Sequence, residues 1–223
     1  MFRPLATFLC VLGLLAASAA AEEPGAEEAE ALLDAPPASR VSDGALSFLP
    51  RLPDKPVHHH QNHVVIAATS LADGWVAIEQ CHDALDAVPS SQIVFSRDRI
   101  RDIRVVAAEG IGEVWVEGHT VQLRQTQRGA RLCLQAQSRA LRHEADGSYV
   151  LRNGPFLRRF LDGYYPMRVS MRVTLEAPNL RYGDANVREQ PGFRIWRAAN
   201  EVFYDAQFEG RLTTELRFLS SEP

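Results

Sequence analysis

From Met167 to Leu175 the chain places an apolar side chain on every second residue, with Met167, Val169, Met171, Val173 and Leu175 alternating against Arg168, Ser170, Arg172 and Thr174. A period of two buries one face only in an extended chain, so this segment is predicted to be a strand with one wet face. The same period recurs further on, where Val202, Tyr204, Ala206, Phe208, Leu212, Leu216 and Phe218 oppose Asp205, Gln207, Glu209, Arg211, Glu215 and Arg217. That run is far longer than an ordinary strand of about five or six residues. Gly210 therefore marks the expected bulge or bend where the strand passes from one sheet to another.

Weaker alternation predicts strands over residues 63–70, 74–82, 92–96, 103–108, 112–123 and 130–137. Turn signals separate them at Asp73-Gly74, Pro89-Ser90, Glu109-Gly110, Arg128-Gly129 and Asp146-Gly147, and the spacing suits a sandwich or partly open barrel. One helix interrupts the pattern. Asn153-Gly154-Pro155 offers a cap and a first-turn proline, Phe156, Leu157, Phe160 and Leu161 form a helical stripe, and Gly163 can close the end. The expected fold is all-β: an antiparallel β-sandwich or partly open barrel with one short helix across an open end. The body spans residues 57–223, with a possible division into subdomains of about 57–140 and 141–223.

The N-terminus breaks with this regime. Arg3, an apolar run from Leu5 to Leu15 and the small-residue stretch ending Ala19-Ala20-Ala21 are the three regions of a cleaved secretory signal, assigned to residues 1–21. The apolar run falls short of the roughly twenty residues a membrane-spanning helix needs, so no transmembrane segment is expected in the mature chain. Cys10 leaves with the signal. Residues 22–56 are expected to be a flexible, disordered acidic and Pro-rich leader, carrying Glu22, Glu23, Glu27, Glu28, Glu30, Asp34, Asp43 and Asp54 against Arg40, Arg51 and Lys55. Within the leader only Leu46-Ser47-Phe48-Leu49 is apolar enough to dock on the body. Losing Arg3 from 24 basic residues leaves 23 against 28 acidic ones, so the leader carries the whole mature excess and the body is balanced. That balance and an exported location, periplasmic or secreted, argue against nucleic acid as a partner.

Candidate chemistry centres on His58-His59-His60-Gln61-Asn62-His63. Extended, the segment puts His59 and His63 on one face and His58 and His60 on the other, giving two pairs able to chelate zinc or copper. A specific site needs more ligands, for which His82, His119, Glu79 and Glu117 are remote candidates. The alternative is a solvated strand entrance with ordinary weak affinity for metals. Cys81 and Cys133, the two cysteines of the mature chain, are expected to form a disulfide, since neither belongs to a Cys-x-x-Cys pair. Arg97, Arg99, Arg101 and Arg104 suggest a basic edge for an anionic glycan, lipid headgroup or protein, although Asp98 and Asp102 interleave them as on a protected sheet edge. Met167 and Met171 read as core, and Trp75, Trp115, Trp196, Tyr164 and Tyr165 as core or cleft lining.

No Gly-x-Ser-x-Gly, His-Glu-x-x-His, Ser-x-x-Lys or phosphate-loop motif occurs. The expectation is a non-catalytic periplasmic binding or accessory module that recognises a partner protein or envelope component. The alternatives are a periplasmic metal-binding protein using the 58–63 histidines, and an enzyme whose site is dispersed among residues such as Glu79, Glu117, Asp205 and Glu209.

Overall fold

A computed structural model describes residues 44–160 and 162–220. The signal, the acidic part of the leader and Leu161 lie outside the described residues. The element order is β1 (Ser47–Phe48), β2 (His59–Ile66), α1 (Ser70–Asp73), β3 (Trp75–Leu85), β4 (Val88–Val94), β5 (Ile100–Glu117), β6 (Thr120–Arg139), β7 (Leu141–His143) and β8 (Tyr149–Phe156). There follow β9 (Arg159–Phe160), β10 (Gly163–Tyr164), β11 (Met167–Leu175), β12 (Leu180–Ala185), β13 (Phe193–Arg197), β14 (Glu201–Glu209) and β15 (Leu212–Ser220).

The strands form a nine-stranded sheet in the order β1-β14-β11-β2-β3-β6-β4, with β13 joining β14 and β5 joining β6. A four-stranded sheet β12-β15-β8-β7 packs against it, and β9 and β10 make a small separate ribbon. The fold is thus nearly all β and sandwich-like. Its main core draws Val64, Met171, Val173, Tyr204 and Phe208 from the large sheet and Leu151, Leu212, Leu216 and Phe218 from the small one. All of these except Val64 and Leu151 are residues that the two clean alternations place on one face, so period-two patterning here translates directly into burial. Met167 and Met171, both 1% exposed, are core. Tyr204 and Thr214 cross-link the two sheets through their hydroxyls at 3.0 Å.

Gly210 does mark the passage between sheets. It sits at φ +87° between β14 in the large sheet and β15 in the small one, and a Cβ there would meet the Ala45 carbonyl oxygen at 2.1 Å. Only glycine tolerates both conditions. The same segment is where residues assigned to the leader dock. Ser47 and Phe48 pair with Glu209 and Phe208, Phe48 packs on Phe193 with ring centroids 5.6 Å apart, and the Leu49 N–H donates to the Gln207 carbonyl at 2.8 Å.

Four sequence expectations need correction. The helix expected at residues 153–163 does not form among its described residues, where Asn153 to Phe156 complete β8 and Arg159–Phe160 and Gly163–Tyr164 are the short β9 and β10. Asn153 and Phe156 pair with Thr214 and Leu212 of β15, and Gly154, at φ +96°, holds its Cα so close to the backbone that a Cβ would meet the Leu212 carbonyl at 2.5 Å. The apparent stripe is not buried as one: Phe156 is 8% exposed, whereas Leu157 and Phe160 are 39% and 37% exposed. Among the described residues the short α-helix is α1, over Ser70–Asp73. Second, Pro89-Ser90, Glu109-Gly110 and Arg128-Gly129 are not turns: the first lies inside β4, and the other two are irregularities inside β5 and β6, where Gly110 and Gly129 take positive φ and the ladder register shifts between Glu109 and Ile111. Third, Gly118, at φ +59°, turns the chain within the single strand expected over residues 112–123. Finally, the large sheet is mixed, because β11 pairs with β2 in parallel. Alternation cannot reveal that, since the side-chain period is the same in both directions.

A second apolar cluster, Val121, Leu123, Leu132 and Leu134, fills the curl of the long β5–β6 hairpin. Here Cys81 and Cys133 face each other across β3 and β6, with Cα atoms 4.1 Å apart and the sulfurs bonded. Closing a loop of 52 residues restricts the unfolded chain by about 4 kcal/mol. The Cys81→Ala/Cys133→Ala protein should therefore unfold at lower denaturant with a loss of about 2–4 kcal/mol. Equal midpoints for the two proteins would show that the bond contributes nothing to this fold.

Candidate functional site

Along β2 the inward positions are His60, Asn62, Val64 and Ile66, so the face that is apolar at one end turns polar at the other. Antiparallel pairing brings His82 opposite His60, Gln80 opposite Asn62 and Ile78 opposite Val64. On the far side of β3, Gln80 and His82 abut Leu134 and Leu132 of the second cluster. A band of polar side chains thus lies between two apolar clusters inside the protein. His60, Gln80 and His82 are 9%, 5% and 5% exposed.

The band is internally bonded. The Gln80 amide nitrogen contacts Nε2 of His82 at 2.6 Å, and Nδ1 of His82 contacts Nε2 of His58 at 2.9 Å. A neutral imidazole carries one N–H. If Gln80 donates to Nε2, then His82 must donate from Nδ1 and His58 must accept at Nε2. The His60 ring stacks on His82 with centroids 4.2 Å apart and meets the edge of Phe156 at 5.1 Å. Burial is the chief reason these rings stay uncharged. It pushes His58 down to about 4, helped by the nearby Arg158 guanidinium, and His60 down to about 3. His82 is also held well below the usual imidazole value, by burial first and then by its histidine neighbours. Arg158 is itself fixed by a two-pronged pair with Asp86, at 2.9 and 2.7 Å.

Three polar atoms of this region are buried without a hydrogen-bond partner of good geometry within the protein: Nε2 of His60, Nδ2 of Asn62 and Nδ2 of Asn153, although the Gln80 and Asn62 side chains lie close enough to His60 to act on its pKa against the effect of burial. Leaving such an atom unpaired costs about 1–3 kcal/mol. All three residues line one cavity of about 600 Å³, which opens between the polar end of the large sheet and the Asn153–Leu157 stretch of the small one. Its walls are apolar at Val64, Ile78, Ile93, Phe95 and Phe156. No Asp or Glu is among the described residues that line it, and its charged side chains are Arg99, Arg139 and Arg152.

The other sequence candidates fall elsewhere. His59 and His63 point to the opposite, outer face of the sheet, as alternation requires. There the His59 Nε2 lies 2.8 Å from the Ser170 hydroxyl, and the His63 Nε2 lies 3.0 Å from the Thr174 hydroxyl, which in turn donates to Glu201 at 3.2 Å. Burial, then Arg168, lowers the His59 pKa. Glu79 shares with His63 a shallow outer hollow of about 410 Å³. The four histidines 58, 59, 60 and 63 are therefore split between two faces, and His82, a remote candidate, is the residue that joins His58 and His60. His119 and Glu117 sit at the β5–β6 turn. Among the described residues no group of three or more His, Cys, Asp or Glu side chains is arranged to hold a metal ion. Of the four clustered arginines only Arg99 reaches the cleft; Arg101 lies over the Trp75 ring at 4.1 Å, and Arg104 lines the outer hollow. Sequence reasoning missed Gln80, Asn153, Arg139 and Arg152. The available signal was polar Gln80 and His82 continuing the buried face of Val76 and Ile78.

No family model matches this sequence, and no curated protein matches it. Among solved structures, the chain is similar to an M1 zinc metallopeptidase from Deinococcus radiodurans bound to a Tyr-Ser-Ala substrate, with 14% identity over 73% of this chain and 41% of that one and a TM-score of 0.41. It is also similar to a two-domain M1 zinc metallopeptidase bound to L-tryptophan, with 15% identity over 81% of this chain and 44% of that one and a TM-score of 0.37. The chain spans less than half the length of either protein. Likeness at this level says nothing about activity.

The neutral histidines set a pH dependence. An unfolded imidazole takes up its proton near pH 6.5, whereas the fold resists protonation until about 4 at His58 and about 3 at His60. Stability is therefore complete above neutrality and is lost as pH falls, by about 2 kcal/mol per such histidine between about pH 6.5 and about pH 5. Thermal melts at about pH 7.5 and about pH 5 should show this drop, and it should shrink in the His58→Gln/His60→Gln protein. Identical pH dependence in the two proteins would show that these rings are not the titrating groups.

Proposed function

We propose that this chain is an exported, non-catalytic binding module of the cell envelope, with the cleft between its sheets as the recognition site for an envelope component. The observation that carries the reading is the set of three unpartnered, buried polar atoms at one cavity. A core without a ligand gains nothing from His60, Asn62 and Asn153, because apolar residues would fill the same space without the cost of unpaired donors. Export is supported by the signal-like N-terminus and by a cysteine pair at disulfide distance. The non-catalytic part is supported by the lining itself. His82 bonds to His58 and to Gln80, and no carboxylate is among the described residues that line the cavity to share proton transfer with the histidines.

The test is retention. Wild-type and His60→Leu/Asn153→Leu protein are incubated with a small-molecule extract of an envelope fraction, separated by gel filtration and analysed by mass spectrometry after denaturation. The wild type should retain a species at about one per chain, depleted about tenfold in the variant, corresponding to roughly 1.4 kcal/mol. Circular dichroism melts verify that the variant is folded. Equal retention by both proteins, or none by the wild type, contradicts the reading.

A second reading keeps zinc or copper as the ligand, favoured by His82 joining His58 to His60, of which His60 and His82 line the cavity. Zinc titration should then raise the melting temperature of His59→Ala/His63→Ala protein as much as that of the wild type, and leave His82→Ala protein unmoved. A shift of the same size in His82→Ala protein removes this reading.

A further inference from the structure

The class of ligand follows from the charges on the cleft walls. Whereas the whole chain is acidic, with a formal net charge of −4, the charged side chains among the described residues that line the cleft are three arginines, and the nearby carboxylates, Glu215, Asp73 and Asp98, stand outside its lining. Burial removes the histidines from the charge balance, since those on the floor are neutral at physiological pH. Arg152 is engaged by Glu215 at 2.7 Å. The Arg99 side chain makes only a long contact, from its Nε to the Ser96 hydroxyl at 3.3 Å, and the Arg139 side chain has no hydrogen-bond or ion-pair partner among the described residues, its backbone pairing with Trp75 of β3. Arg99, Arg139 and Arg152 also line an adjoining cavity of about 510 Å³, whose wall carries Asp73 and Asp98 as well, so they form the ridge between two hollows and the cleft is the side of it without carboxylates.

A guanidinium fork offers parallel N–H donors spaced for a carboxylate or phosphate. Both forks are exposed at the mouth of the cavity, where they can meet an anion directly and attract it with the modest strength of a solvated charge pair. Behind the ridge, Val64, Ile78 and Phe156 provide an apolar wall, and the Asn62 and Asn153 amides hold unused donors. An inorganic anion would satisfy the ridge and leave the rest of the cavity unmatched.

We propose that the cleft binds an amphipathic organic anion, with its phosphate or carboxylate group on Arg99 and Arg139 and its apolar body against Val64, Ile78 and Phe156. This rests on the cleft being the recognition site, and the experiment separates the two ideas. The probes are anilinonaphthalene sulfonate and its neutral counterpart phenylnaphthylamine, which share an aromatic body and differ in the anionic group. Fluorescence titration of the wild type at low salt should give a sulfonate affinity about tenfold above that of the neutral dye. In Arg99→Gln/Arg139→Gln protein the sulfonate should fall to the affinity of the neutral dye, which itself stays unchanged. In Ser138→Trp protein, where the indole plugs the cleft, both dyes should be lost. Dodecyl phosphate should displace the sulfonate, and inorganic phosphate at the same concentration should not.

If both dyes bind the wild type equally and are lost in Ser138→Trp protein, the anion inference fails while the cleft remains the binding site. If both bind Ser138→Trp protein as they bind the wild type, the reading of the cleft itself fails. Displacement by inorganic phosphate as effective as by dodecyl phosphate overturns the amphipathic part, since the apolar wall then contributes nothing.

Discussion

An imidazole enclosed between two apolar clusters has to be neutral and has to find hydrogen bonds, because charging it there, or leaving its nitrogens unpaired, costs several kcal/mol. The chain meets this constraint for His82 by giving it a partner on each ring nitrogen, Gln80 on one side and His58 on the other. It does not fully meet it for His60, whose Nε2 is buried at the cavity without a partner of good geometry. Sheet geometry explains why such a site exists at all. Residues two apart on one strand and directly opposed on the next must share a face, so a run of polar residues on β2 and its complement on β3 necessarily form one band.

The rest of the architecture holds that band in place and open. The main core, built from both sheets, anchors the apolar end of β2 through Val64 and Ile66, while the hairpin cluster of Leu132 and Leu134 borders the far side of β3. The disulfide between β3 and β6 ties the hairpin to the strand that carries Gln80 and His82. On the small sheet, Gly154 lets the chain run close along β15, which sets Asn153 and Phe156 against the cavity. These elements belong to regular β-structure, so the site is placed by the scaffold and not by a mobile loop.

The parts legible in the sequence were those with an unambiguous period. Met167–Leu175 and the long run around Gly210 revealed the strands, the buried face and the crossing between sheets, because alternation alone decides which side chains go inside. The Cys81–Cys133 pairing followed from a count of two. Around Gly154 the signals misled. A capping asparagine, a proline and four apolar residues fit a helix locally, but strand pairing with β15 outweighed that propensity, and the short segment had no helical core contact to oppose it. The histidine cluster was legible in its face assignment, His58 and His60 against His59 and His63. Its neighbours were not, since Gln80, Asn153 and Arg139 reach the same cavity only through strand order and register, and the parallel β2–β11 pairing leaves no mark on the hydrophobic pattern.

The central claim is that the inward polar face of β2, and not the outer face of the sheet, is where this protein meets its ligand. The most direct measurement is a nitrogen–proton NMR map of the side-chain amides of Asn62, Gln80 and Asn153 and the imidazoles of His59, His60 and His63 as anilinonaphthalene sulfonate is added. The amides and His60 should shift together and saturate at one equivalent, with His59 and His63 unmoved. Shifts confined to His59 and His63, with Asn62, Gln80 and Asn153 unchanged at saturation, would place the binding surface on the outer face and contradict the account.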